Sequence, residues 1–284
     1  MSAPSTLEGA YLLHLIFRID WTAWNDLKSK RQARIIRHSA EVLEEFCQRG
    51  EREEAGALYH VLGHKGDLMF VFSRRSTQEL AAIERRLAQL PVWPYLELSY
   101  SYYSVVELSL HGVAERYKTN LQKQGLEEGT PAWDEAWEAL LDRDRTAQRT
   151  RLYPEFPADR YICFYPMDKM RGEQKNWFML SAAERATLMA AHGKTGRKYH
   201  GKVSQIISSS MGLDDFDWGV DLFAQEPLQF KKLIYEMRYD EVSAVYAEFG
   251  PFIIGLRINA DRILDAEAWD AEEEASAQEA GEES

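Results

Sequence analysis

The sequence predicts an α+β fold: two tandem ferredoxin-like (βαββαβ) domains whose antiparallel sheets come together in a barrel-like, dimeric α/β-barrel arrangement. Three observations carry this reading. The order strand, helix, strand, strand, helix, strand can be followed twice along the 284 residues from hydrophobic spacing alone. In the first copy Gly63-His-Lys-Gly66 separates two short apolar runs, which is hairpin chemistry. The chain is also long enough for two domains, each with a core of its own. Antiparallel sheets of this kind carry their helices on one face. The other faces need burial as well, so the sheets close on each other, or a flat apolar ligand is held between sheet and helix.

In chain order, residues 10–20 read as a strand and 21–49 as a helix, with Ile35, Ile36, Val42, Leu43 and Phe46 at three- and four-residue steps. Strands over 57–62 and 67–72 flank the hairpin turn. A helix starts at Ser76 and ends near Leu90, because Pro91 and Pro94 cannot continue it. A long strand over 96–110 completes the first unit. The second unit reads as strand 161–167, helix 182–192, strands 203–208 and 218–223, helix 227–249 and strand 252–258. Ser181-Ala-Ala-Glu184 is a capping box, Gly193 a stop signal, and Pro227 a suitable helix start. This gives an N-terminal domain over 1–130, a polar connecting segment over 131–159, a C-terminal domain over 160–262 and an acidic tail over 263–284.

Composition narrows the function classes. The formal net charge is −12, but residues 265–284 hold nine acids and no Lys or Arg, which leaves 34 bases against 37 acids in the body. Without a basic stripe, nucleic acid is not an expected partner. No apolar run reaches the length of a membrane span, and the N-terminus lacks a basic leader with an apolar core. A cytoplasmic location is therefore expected. Cys47 and Cys163 form no metal-type spacing and read as core thiols.

The residues that could carry chemistry concentrate between Tyr161 and Gln205. Side-chain alternation in Tyr165-Pro-Met-Asp-Lys169 turns Tyr165, Met167 and Lys169 the same way, and Pro166 places the run at an edge or strand end. His192 is the leading metal candidate among seven histidines. His60 and His64 have H-x-x-x-H spacing but fall on a strand and its turn, so zinc or a di-iron centre is poorly supported. One imidazole suits a haem-type iron, whose porphyrin supplies the other nitrogens. A His on a helix's last turn can equally cap carbonyls. Tyr165 reads equally as a core tyrosine, Arg151 and Lys169 as solvated charges, and Ser243 as bonded back to its helix. Arg151 and Lys169 are also able to hold carboxylates, and Gln205 offers a neutral amide.

Taken together, the ordered segments Tyr165-Pro-Met-Asp-Lys169, Asn176-Trp-Phe-Met-Leu180, His192-Gly-Lys-Thr-Gly-Arg-Lys-Tyr199, Lys202-Val-Ser-Gln-Ile-Ile207, Pro227-Leu-Gln-Phe-Lys-Lys232 and Tyr235-Glu-Met-Arg-Tyr-Asp-Glu-Val-Ser-Ala244 resemble the coproheme decarboxylases of the chlorite dismutase-like superfamily. The likeness covers the C-terminal half closely. In the N-terminal half it extends to the strand order and Tyr103-Ser-Val-Val-Glu-Leu108.

The resemblance implies His192 as axial iron ligand and Tyr165 as the redox-active phenol. It places Arg151, Tyr165, Pro166, Met167, Asp168, Lys169, Gln205 and Ser243 around iron coproporphyrin III and its propionates. In such enzymes the porphyrin is both substrate and redox cofactor, hydrogen peroxide is the oxidant, and haem b is the product. The tyrosine becomes a radical and takes hydrogen from a propionate arm, whose carboxyl is lost as carbon dioxide to leave a vinyl group. The resemblance further implies a homopentamer and a transient contact with a coproporphyrin ferrochelatase. Gln205 stands where chlorite-decomposing relatives carry a distal arginine, which weakens chlorite chemistry. Asp168 stands where relatives often have Ser. A haem peroxidase or chlorite-type enzyme and a non-catalytic porphyrin carrier are the alternatives.

Overall fold

The computed structural model describes residues 5–48, 53–110 and 113–264. In the first half, β1 (Thr6–Ile19) is followed by a short α1 (Trp21–Asn25) and a long α2 (Ser29–Cys47), then β2 (Ala55–Leu62), β3 (Leu68–Arg74), α3 (Thr77–Leu87) and β4 (Leu96–Ser109). Its strands lie in the order β4-β1-β3-β2, as expected of a ferredoxin-like unit. After α4 (Val113–Lys123), α5 (Pro131–Ala147) and α6 (Arg149–Leu152), the second half runs β5 (Tyr161–Lys169), α7 (Ala182–Arg197), β6 (Ser204–Ser209), β7 (Trp218–Ala224), α8 (Leu228–Met237), α9 (Glu241–Tyr246), β8 (Ala247–Phe249) and β9 (Ile253–Ile258).

The four main strands of the second half repeat the arrangement as β6-β7-β5-β9, and the two sheets join along both edges. One seam pairs Leu58 through Leu62 of β2 with Ile258 through Ile254 of β9. The other pairs Val105 and Val106 of β4 with Ser209 and Ser208 of β6. Eight strands thus form a closed ring, with β8 continuing the edge of β5 beyond β9. Closure leaves few unpaired strand edges.

Alternation sorts the side chains. Leu13, Leu15 and Phe17 of β1 pack with Phe70, Phe72, Trp24 and Leu43 beneath α2 and α3. Leu12 and Ile16 turn the other way and meet Tyr102, Phe164 and Phe223 from other strands. His14 lies between them in sequence, and its Nε2 is 2.9 Å from Asp221 Oδ1 of the second half; both side chains are fully buried. The imidazole stacks on Phe164 with ring centroids 4.1 Å apart. Gly219 belongs to the same interior. A Cβ there would stand 2.6 Å from the Tyr102 ring, which only glycine avoids.

Several elements depart from expectation. The helix expected over 21–49 is two helices, because Asp20 caps α1 by accepting from the Ala23 N–H at 2.9 Å and the chain restarts at Ser29. The expected polar bridge over 131–159 contains α5 and α6, and α4 precedes it. Thr130 caps α5, Pro131 occupies its first turn, and Trp133 and Leu141 are buried, a start signal that charged neighbours obscure. Leu7, Leu110, Leu141 and Leu152 make a small core joining these helices to the ends of β1 and β4. Gly9 brings β1 so close to α6 that a Cβ would stand 2.1 Å from the Leu152 carbonyl oxygen. Ile263 and Leu264, assigned to the tail by sequence, instead pack into the first half's core. Residues 265–284 of that tail lie outside the described residues.

Candidate active site

In the first half, the space between sheet and helices is filled by Phe17, Phe46, Phe70 and Phe72. The corresponding space in the second half is open. A cavity of about 1280 Å³ lies between the outer face of its sheet and α7 to α9, and continues past β6 to α4, α5 and α6.

β5 supplies one wall through its pleat. Tyr165, Met167 and Lys169 line the cavity, as alternate residues of a strand must face one side. Pro166 and Asp168, assigned to ligand binding by sequence, are not among its lining residues. The Pro166 carbonyl accepts from the Gly250 N–H at 2.9 Å, and Asp168 Oδ1 accepts from the Asp217 N–H at 2.7 Å. Both residues hold neighbouring loops instead.

The Tyr165 ring stacks on Phe252 at 4.5 Å and tilts against Phe249 at 5.8 Å. Burial pushes its phenol far above the usual range; Cys163 adds to this and Arg238 opposes it. The Arg238 guanidinium lies over Phe249, 3.7 Å from the centroid. Lys169 lies over the Trp177 ring at 4.8 Å. Desolvation pushes its ammonium down to about 8, against a pull upward from Asp240.

That depressed value has a signed consequence. Between about pH 8 and 10.5 the unfolded chain holds a proton on Lys169 that the folded chain has released, so this group's contribution to stability improves as pH rises through that window. At pH 7 it costs stability in full. Lys169→Met should therefore be more stable than the parent protein at pH 7, and urea unfolding at pH 10 should find that advantage reduced. An advantage independent of pH would contradict a half-buried lysine that is charged at pH 7.

His192 is on α7, which continues past Gly193 to Arg197. The expected helix end at His192 is thus one turn too early. Neither Gly193 nor Gly196 adopts positive φ, and Gly196 admits the Met237 methyl at a prospective Cβ distance of 3.3 Å. His192 does not cap carbonyls. Its Nδ1 lies 2.9 Å from Asp240 Oδ2, and among the described residues its Nε2 has no hydrogen-bond partner. Asp240 Oδ1 accepts from the Ser243 N–H at 3.0 Å, capping α9. This cap also breaks the helix expected over 227–249.

Ser243 and Gln205 line the same cavity, as does Arg151 from α6, whose Nη1 donates to Gln148 Oε1 at 3.1 Å. Phenol, imidazole, amide, hydroxyl and cations predicted from sequence thus surround one space. Sequence reasoning missed Asp240 and Arg185. Asp240 had a readable signal, an Asp three residues before Ser243 in helix-cap position.

A carboxylate on Nδ1 fixes the tautomer that presents Nε2 as a metal ligand and makes it more basic. Among the described residues, no group of three or more His, Cys, Asp or Glu could hold a metal ion. A metal at His192 must therefore bring its other ligands with it. Apolar walls from Met167, Ile207, Trp218, Val220 and Leu222 suit a flat organic ligand set, and Lys169, Arg151 and Arg185 suit carboxylates on it. The fold and site thus define a protein for a metal-bearing macrocycle with acidic substituents.

The chain belongs to the chlorite dismutase family, whose family profile matches residues 32–258. Among curated proteins it is similar to coproheme decarboxylases of two strains of Thermus thermophilus, each 42% identical over 267 residues, covering 93% of both chains. Among solved structures it is similar to a heme-binding protein from Thermus thermophilus, at 40% identity and TM-score 0.75, covering 92% of this chain and 97% of the other. A mutant chlorite dismutase from Candidatus Nitrospira defluvii shares the fold, with 19% identity, TM-score 0.68, and 92% and 97% of the two chains covered. Among the described residues no helix is long and apolar enough to cross a membrane.

Proposed function

We propose that the protein is a coproheme decarboxylase of haem b biosynthesis, converting iron coproporphyrin III to protohaem IX by peroxide-dependent oxidative decarboxylation of two propionates. One observation carries the reading: Tyr165 and the His192–Asp240 pair line a single cavity, with Lys169 and Arg151 among its walls. The family relatives that share over 40% identity bear the same name. When bound, the iron porphyrin supplies the redox centre at which peroxide is reduced, and it is also the substrate.

The chain's own residues hold and position it. His192 presents Nε2 to the iron while Asp240 fixes the ring. Lys169 and Arg151 offer positive charge to the propionates, and Gln205 and Ser243 offer neutral donors. Charge-assisted hydrogen bonds of this kind contribute about 1.5–3 kcal/mol each. Tyr165 is kept protonated by burial, so it loses its proton together with an electron and then recovers a hydrogen atom from a propionate arm. That arm loses carbon dioxide and becomes a vinyl group. Each decarboxylation releases two electrons, which one peroxide accepts. Pro166 and Asp168 serve by shaping the β5 edge from its other side.

The reading places the protein in the cytoplasm as a homopentamer, receiving substrate by transient contact with a coproporphyrin ferrochelatase. Leu228, Tyr235 and Tyr239 are exposed at and just beyond α8 and give such an assembly an apolar face.

Incubation with ferric coproporphyrin III and hydrogen peroxide tests the activity. Chromatography should resolve a three-propionate intermediate and then haem b. Unchanged coproporphyrin after excess peroxide would rule the activity out, and rapid oxygen release from chlorite would favour the chlorite-type alternative.

A further inference from the structure

Among the described residues two arginines are almost completely buried, and they differ in how their charge is served. Arg74, in the first half, donates from Nη1 to the carbonyls of Ala55 and Ser73 at 2.7 Å and from Nη2 to that of Phe46 at 2.9 Å. Backbone oxygens thus surround its guanidinium. Arg185, on α7, is 7% exposed. Among the described residues it makes one hydrogen bond, from Nη1 to the Leu180 carbonyl at 3.0 Å. Its Nε is buried with no partner. A guanidinium carries five N–H donors and stays charged in proteins; here one is spent on the Leu180 carbonyl and the buried Nε–H is unspent. Removing such a charge from water without a counter-ion is costly.

Arg185 also lines the cavity. It precedes His192 by seven residues, two helical turns or about 10.5 Å along α7, so the two side chains share a helix face with Met189 between them. The Leu180 carbonyl it holds ends the turn begun by Trp177, the ring over which Lys169 sits. Two cations from different elements, Arg185 at the Leu180 carbonyl and Lys169 over the Trp177 ring, therefore touch the two ends of one turn at the cavity wall. Among the described residues neither has a carboxylate within ion-pair distance.

We propose that Arg185, together with Lys169, receives one carboxylate arm of the porphyrin, and that Arg185 is a residue by which the site selects a macrocycle with acidic substituents. The inference rests on the functional reading above and extends it to a residue and a specificity. A planar fork can bind a carboxylate through two parallel hydrogen bonds, which an ammonium does not reproduce. The missing counter-ion then arrives with the ligand.

The test measures binding by quenching of tryptophan fluorescence, using iron coproporphyrin III and its tetramethyl ester as probes. The protein should prefer the tetra-acid. In Arg185→Gln the affinity for the tetra-acid should fall about ten-fold or more, while the ester should bind equally to both proteins. Arg185→Lys should recover part of the loss, because it restores charge without the fork. A role limited to holding the Leu180 carbonyl would lower the affinity of both probes alike, and that result, or undiminished tetra-acid binding by Arg185→Gln, overturns the proposal. If Arg185→Gln does not fold, equal tetra-acid and ester affinities in Arg185→Lys and the parent alike would overturn it. A parent protein that binds neither probe would instead sink the functional reading itself.

Discussion

Replacing Tyr165 with Phe should leave porphyrin binding within a few-fold of the parent protein and reduce decarboxylation to background. The substitution is unusually clean. The ring keeps its stack on Phe252 at 4.5 Å and its contact with Phe249. Among the described residues the hydroxyl has no hydrogen-bond partner to strand, so folding stability should change little. What is lost is the only part of the side chain that can release a proton and an electron together. Burial raises the phenol well above its usual range, so a standing phenolate cannot substitute at ordinary pH, and the coupled loss is the accessible route. The porphyrin should stay bound without product formation, and its bleaching on peroxide addition is the outcome to watch for. Chromatography of the porphyrins after peroxide addition checks this. Haem b formed by Tyr165→Phe at the parent rate would show that another group abstracts the hydrogen, and a carrier would likewise be indifferent to the change.

How far the sequence foresees this site depends on whether the information is local. The inward set of β5 is local: a strand's two-residue period places Tyr165, Met167 and Lys169 together, and the same period turns Pro166 and Asp168 away. The capping box at Ser181 is local too, and α7 starts where it says. Ring closure is not local. The seams β2–β9 and β4–β6 join segments distant in the chain, and nothing in Leu58–Leu62 alone names Ile254–Ile258 as partner. The buried pair of His14 and Asp221 is equally remote in sequence, 207 residues apart. The acidic and basic residues of 131–152 mask the spacing of Trp133 and Leu141, so in sequence their helices look like a polar bridge. Gly193 looks like a stop because glycine often ends helices; here Met237 of α8 packs close enough to Gly196 for tertiary contact to override that tendency.

The effect of Asp240 on the proposed iron site can be separated from its effect on the fold. One carboxylate does two jobs, capping α9 through Oδ1 and holding His192 Nδ1 through Oδ2. Asp240→Ala removes both. It should destabilise the protein by about 1 kcal/mol through the cap and weaken retention of iron porphyrin by about 10–100-fold through the released imidazole. Asp240→Asn keeps one oxygen, enough for a good cap, but sets an NH2 donor against Nδ1 and so removes both the acceptor and the negative charge that orient and strengthen the imidazole as a ligand. Its melting temperature should stay near that of the parent while the axial-ligand signature of the ferric protein shifts. His192→Ala sets the upper limit: the imidazole signature should vanish, and residual binding should come from the carboxylate-holding cations alone. Residual binding of that kind should weaken with salt, whereas a metal–imidazole bond should not. An unchanged axial-ligand spectrum in His192→Ala would mean that a different side chain grips the iron, and the assignment of α7 as the metal-binding helix would fall with it.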